Sequence, residues 1–293
     1  MSFNIRLFGA FAVHHEGVLL KANLRGSTLE VLCYLLANAG KGTRREKLAV
    51  MFWPDRPDIS ASHLLGTSLW RIRKVLAGWP KVGLISEAGI IRIDIAEPEV
   101  TDINRLSQAV SMALSDTGGA VMAKLGEATR SMLIEAVGDH DSEFLEGQSH
   151  DWVHAERERY FHLRIRALTF LLNDAAESRR FEEALAIGRR VTLLDPFHEC
   201  AQRQVMWLYV EAGQQARALR QYSQYEKLLW EEMGLRPMAE TTALRDLIVA
   251  EGSRDPGDDL LSAGNRADGM REIMQSRVSE RQSVFAALSS SSQ

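Results

Sequence analysis

A tryptophan and three cations, Trp70, Arg71, Arg73 and Lys74, stand within the stretch SLWRIRKVL. These side-chain types suit recognition of a polyanion. A guanidinium offers a planar fork matching guanine O6 and N7, worth about 1 to 3 kcal/mol of discrimination, whereas an ammonium acts as a point charge on phosphate. His63, Thr67, Trp70 and Lys74 recur at steps of four, three and four, so on a helix they share one face, flanked by Arg71 and Arg73. A face like this is ordinarily just solvated. What alters the weighing is its place in the chain, on a third helix directly before a hairpin. We assign Thr67, Trp70 and Arg71 to bases and Arg73 and Lys74 to phosphate, a division that residue type alone leaves open.

Two further groups of cations belong with these. Arg44 and Arg45 open the second helix, where backbone N–H groups and the helix dipole favour a phosphate, although solubility explains them equally well. Arg92, near the tip of the hairpin, suits a minor groove or a backbone contact, or stays solvated. Nothing comparable points to catalysis. There is no serine elbow, no Cys-His arrangement and no Gly-rich cofactor loop, and GKGTRREK lacks the spacing of a phosphate-binding loop. His14, His15 and His198 have no companions at metal-ligand spacing and are expected at the surface. We therefore expect no enzyme, no metal and no cofactor.

The elements that must hold these residues can be read in order. FNIRLFGAFAVHHEGVLL alternates, with a turn at Glu16-Gly17, and predicts short antiparallel strands. Ser27 and Glu30 have capping-box spacing ahead of a helix whose buried stripe is Leu29, Leu32, Cys33 and Leu36, with Gly40 as its stop. Thr43 and Glu46 repeat that spacing before a second helix, which Pro54 ends; Phe52 and Trp53 are assigned to the core. From about Ser60 to Leu76, the stripe Leu65, Leu69, Ile72 and Leu76 predicts the third helix. GLISEAGIIRIDI then predicts a hairpin turning at Glu87-Ala88-Gly89. Strands, three helices and a hairpin are the order of a winged helix-turn-helix, in which the third helix enters a major groove.

From Asp102 onward the pattern is helical. INRLSQAVSMAL and VMAKLGEATRSMLIEA predict two helices separated by SDTGG, and GDHDSEFLEG, with His140, reads as a polar hinge. Beyond it Ala184 and Ala218 stand 34 residues apart, the tetratricopeptide period, at positions where two helices of a hairpin touch. Leu168, Leu171, Leu172, Ala175, Gly188, Val191 and Pro196 fit the first copy, and Val205, Met206, Tyr209, Tyr222 and Tyr225 the second. Its proline, Pro237, comes late and implies a longer last helix. Residues 251–293 are rich in breakers and expected to be mobile, with a short helix within Met270 to Leu288.

Totals agree with this division. The net charge of −4 hides an asymmetry: residues 1–97 hold 13 Lys+Arg against 8 Asp+Glu, leaving 22 against 31 for the rest. A polyanion would dock on the first third. Cys33 and Cys200 read as buried free thiols. No apolar run is long enough to span a membrane, and MSFNIRLFGAF lacks the order of a secretory signal, so a cytoplasmic protein is expected.

The segments LRGSTLEVLCYLLANAG, REKLAVMFWPD and SLWRIRKVLAG, followed by EVTDINRL, EFLEG, DWVHAERERY, LLDPFHECAQRQVM and YEKLLWEEMGLRPMAETTAL, resemble the SARP family of bacterial regulators. In that family an OmpR-type winged helix is joined to a bacterial transcriptional activation domain. The resemblance implies a mostly α chain: an N-terminal winged helix-turn-helix (α+β) over residues 1–97, an all-α tetratricopeptide-like helical domain over 98–250, and a tail. It implies a sequence-specific activator that reads double-stranded DNA at promoter repeats, pairs as a homodimer and contacts RNA polymerase, with the loop after FWPD facing the polymerase. Base preference does not carry over, because Trp70 and Lys74 surround Arg71 and Arg73 where many relatives differ. Two other readings stand beside it: a protein-interaction scaffold, and a ligand sensor with a small-molecule site in its helical half.

Overall fold

The computed structural model describes residues 3–20, 23–118, 124–138 and 141–252, and the tail expectations fall outside them. The chain is mostly α, and the described residues form two small three-stranded sheets near its N-terminus. It divides into two compact units, residues 1–108 with 138–161, and residues 109–137 with 162–293. No helix among the described residues is long and apolar enough to cross a membrane.

In the first unit, β1 (Phe3–Arg6), β2 (Ala12–His15) and β3 (Val18–Leu20) form an antiparallel sheet, with Ile5 opposite Val13 and Val13 opposite Leu20. Glu16 and Gly17 both have positive φ, 51° and 80°, the backbone of a two-residue hairpin turn whose twist matches the strands. α1 (Ser27–Ala37) is buried on all sides over residues 31–36, so its contact surface is wider than one stripe. Neither expected capping box forms. Gly26 is the N-cap of α1, and Glu30 is drawn away to His150, Oε2 to Nε2 2.9 Å. Thr43, a β-branched residue, pairs with Ile91 in a short strand, β4 (Thr43–Arg44), ahead of α2 (Arg45–Phe52). Phe52 is buried and Trp53 half-buried.

α3 (Asp58–Leu76) buries the stripe Leu65, Leu69, Ile72 and Leu76, and Ser68 meets Thr28 of α1, Oγ to Oγ 3.0 Å. The hairpin follows as β5 (Val82–Glu87) and β6 (Ile90–Ile95), giving a sheet in the order β4-β6-β5. Its register sets Ile85 opposite Arg92, so Arg92 lies within the strand and not at the tip, which is Ala88-Gly89.

The segment expected as a polar hinge is in part core. Backbone N–H groups of Gly9, Leu145 and Glu146 bond to Glu143, Leu7 and Gly9 carbonyls, while Phe144 and Leu145 are buried. His140 lies outside the described residues. Asp102, which opens α4 (Asp102–Thr117), is buried and accepts from the Leu7, Phe8 and Ile103 N–H groups. Burial raises its pKa above the ordinary carboxylate range, against the pull of those three donors. Burial likewise pushes the Cys33 thiol up to about 12.

In the second unit, α4 runs on through Ser115 to Thr117, where a break was expected. α5 (Glu127–Val137) begins later than its amphipathic pattern, because the Leu125 N–H bonds to the Asp174 carboxylate at 3.0 Å and holds residues 124–126 outside the helix. α6 (Asp151–Glu177), of which residues 162–177 belong to this unit, α7 (Phe181–Leu194), α8 (Glu199–Glu211), α9 (Gln215–Met233) and α10 (Ala239–Gly252) follow. Leu172, Ala184, Val205, Met206, Ala218, Leu244 and Ile248 share one core. A Cβ on Gly188 would stand 2.7 Å from Val205 Cγ2, so α7 and α8 approach as only glycine allows. Cys200 is half-buried, unlike Cys33. His198 is no surface histidine: it caps α8, with Nδ1 accepting from the Ala201 N–H at 3.2 Å.

Candidate nucleic-acid interface

The third helix carries the candidate residues as a consequence of its burial. Each residue turns about 100° round a helix axis, so fixing Leu65, Leu69, Ile72 and Leu76 inward leaves the opposite half free. His63, Thr67, Trp70, Arg71, Arg73 and Lys74 are all exposed, Trp70 at 54%. Residues two apart on a helix lie about 160° from one another round the axis, so Arg71 and Arg73 mark opposite rims of the free face. Trp70 and Lys74 lie between them, with Lys74 Nζ 4.0 Å from the centre of the Trp70 ring. This cation–π contact braces the exposed indole at the middle of the face.

Arg45 joins this surface from the second helix. Its Nη2 donates to the Ser62 carbonyl at 3.3 Å and packs over Gly66, where an added Cβ would stand 3.1 Å away. Arg45, Ser62, His63, Gly66, Thr67 and Trp70 line one open groove of about 480 Å³. The Thr67 hydroxyl donates to its own helix at the His63 carbonyl, 3.2 Å, which leaves its lone pairs facing outward. Ser62 and Gly66 were not among the residues singled out from the sequence. Their signal was the step of four from 62 to 66 to 70, hidden because serine and glycine announce no chemistry.

Arg44 and Arg92 stand apart from that groove. Arg44 is exposed on β4, opposite Ile90 of the hairpin. Arg92 donates from Nε to Asp94 Oδ1 at 2.9 Å, a hydrogen bond that raises its already high pKa and occupies part of its fork. The described residues contain no group of three or more His, Cys, Asp or Glu side chains arranged to hold a metal.

Comparison with known proteins completes the description. Residues 101–249 match the bacterial transcriptional activator domain. The chain belongs to that family. Among curated proteins it is similar to the regulatory protein AfsR of Streptomyces coelicolor, 26% identical over 219 residues, which is 75% of this chain and 21% of that protein. It is similar also to AfsR of Streptomyces griseus, 25% identical over 221 residues, 75% of this chain and 22% of that protein. The chain thus spans about a fifth of the length of these relatives. Among solved structures, Mycobacterium tuberculosis EmbR in complex with a low-affinity phosphopeptide superposes with a TM-score of 0.72 at 17% identity, covering 92% of this chain and 69% of that one. That likeness is one of fold. The SARP-like character read in the sequence holds, and this member of the activator-domain family is related to transcriptional regulators.

Proposed function

We propose that this chain is a sequence-specific DNA-binding transcriptional activator acting in the cytoplasm. Its first unit docks as a winged helix-turn-helix, with α3 in the major groove and the β5–β6 hairpin beside it. The observation that carries this reading is the free face of α3: six candidate side chains exposed on one helix, extended by Arg45 into a continuous groove. Arg71 reads a base and Thr67 and Trp70 supply hydroxyl and apolar contacts. Arg45, Arg73 and Lys74 engage phosphate, with Arg44 and Arg92 at the flank. The helical unit pairs two protomers on repeated half-sites and contacts RNA polymerase. Pairing raises affinity through effective concentration, which one small DNA-reading unit lacks.

Capture of fragmented genomic DNA by the purified protein, beside an Arg71→Ala/Lys74→Ala control, tests this. Enriched fragments sharing a repeated short motif, lost in the control, are expected. Equal recovery by both proteins from folded material at low salt would remove α3 as the reading element.

A further inference from the structure

The groove between Arg45 and α3 is shaped by three positions a turn apart. Ser62, Gly66 and Trp70 stand at steps of four and follow one line along the helix. Gly66 contributes no side chain. An added Cβ would stand 3.1 Å from Arg45 Nη2, so glycine leaves a notch where any other residue would set a carbon. Helical side chains lean towards the N-terminus, which carries the Trp70 indole over the turn at Gly66 and Thr67 and carries Lys74 in turn over Trp70. The indole is 54% exposed and lines the groove.

Polar groups at the notch are engaged within the protein. The Ser62 carbonyl accepts from Arg45 Nη2 at 3.3 Å, and the His63 carbonyl accepts from the Thr67 hydroxyl at 3.2 Å. Thr67 has thereby spent its one side-chain proton, and keeps an acceptor oxygen and a methyl group to present. Bare backbone beside an indole and a methyl has nothing to donate to the O6 and N7 acceptors of guanine. It meets the amino groups of adenine and cytosine with the Thr67 oxygen alone.

In the major groove, thymine is the one unmodified base that presents an apolar group, the methyl on its C5. We propose that the notch at Gly66, walled by Trp70 and Thr67, receives the C5 methyl of a thymine. The half-site then holds a thymine chosen for its methyl as well as the base that Arg71 reads. This rests on the placement of α3 in the major groove, and it names the base chemistry that the face selects. Arg45, Arg73 and Lys74 set positive charge about this apolar centre, as suits a groove whose bases are flanked by phosphates. Burial of one methyl is worth about fourfold in affinity.

Selection of duplexes from a randomised library by the full-length chain, followed by replacement of single thymines in the selected half-site with deoxyuridine, tests it. Deoxyuridine lacks only the methyl and keeps every hydrogen-bonding group. At one position the replacement should weaken binding about fourfold, and 5-methylcytosine should bind better than cytosine there by about the same factor. Trp70→Ala, which removes the wall, and Gly66→Ala, which fills the notch, should each abolish the difference between thymine and uracil. Alanine favours a helix over glycine, so a difference lost in Gly66→Ala is not unfolding. A selected motif in which no uracil replacement matters would overturn the proposal and leave α3 as the reading element. A difference that survives in both variants would overturn it too, by placing the methyl elsewhere. Absence of any selected motif would overturn it together with the DNA-binding reading.

Discussion

At the scale of single residues, the two arginines of α3 have separate tasks because helix geometry sets them on opposite rims. Arg71→Ala should weaken binding to the preferred DNA by about 1 to 3 kcal/mol and relax base choice at one position, measured by competition among half-site variants. Lys74→Ala should weaken binding to all sequences and lower the salt dependence by about 0.9 in the logarithmic slope, the contribution of one phosphate. An unchanged slope would mean that Lys74 serves only to brace Trp70, on which it rests at 4.0 Å. His198 titrates with a consequence for stability. Burial holds its pKa below the ordinary 6.5, so between those values the unfolded chain binds more protons than the folded one. Its contribution is therefore present above about pH 6.5 and lost as pH falls through the folded value. His198→Asn, which retains a capping oxygen without titrating, should flatten the fall in urea stability from about pH 7 to pH 5.

At the scale of elements, boundaries followed tertiary partners more than local signals. Ser27 and Thr43 both had the spacing of a capping box. Thr43 was claimed by Ile91 across the sheet, and Glu30 by His150, a residue 120 positions away. Stripes fared better, because burial of Leu65, Leu69, Ile72 and Leu76 depends only on a helical period and one apolar side. The 34-residue spacing of Ala184 and Ala218 likewise lands both at full burial. The tightest helix contact is that of Gly188 with Val205, and Gly188→Val should cost about 1 to 3 kcal/mol by overpacking. Equilibrium urea unfolding would show this as a lower midpoint at constant slope, and an unchanged midpoint would mean that α7 shifts to make room.

At the scale of the whole molecule, the first unit is assembled from distant stretches of chain. Phe144 packs on Tyr160 at 5.0 Å between centroids, Tyr34 meets Trp152 edge-on at 5.2 Å, and Arg157 donates to the Phe144, Leu145 and Gln148 carbonyls. A fragment of residues 1–97 keeps Tyr34 but lacks every one of these contacts, and it lacks the Asp102 carboxylate that accepts from the Leu7 and Phe8 N–H groups. It should unfold at lower urea, and less cooperatively, than a fragment of residues 1–161. Coincident transitions for the two fragments would mean that the three helices and hairpin form a self-sufficient core.

The sequence by itself determined the strands, three helices and hairpin of the first unit apart from β4, the two hairpin turns, the inward stripe of α3 and therefore its outward face. Each of these follows from a local period or from a residue's backbone preference. Only the tertiary structure decided that Arg45 lies against Gly66 to extend that face, that Lys74 rests on Trp70, that Arg92 is engaged by Asp94, and that Phe144 and Leu145 of EFLEG are core. These outcomes depend on which distant groups meet. A carboxylate at 102 fixes the N–H groups at 7 and 8, and a segment near 144 closes an aromatic cluster with residue 160, because buried donors and rings require partners wherever the chain can supply them.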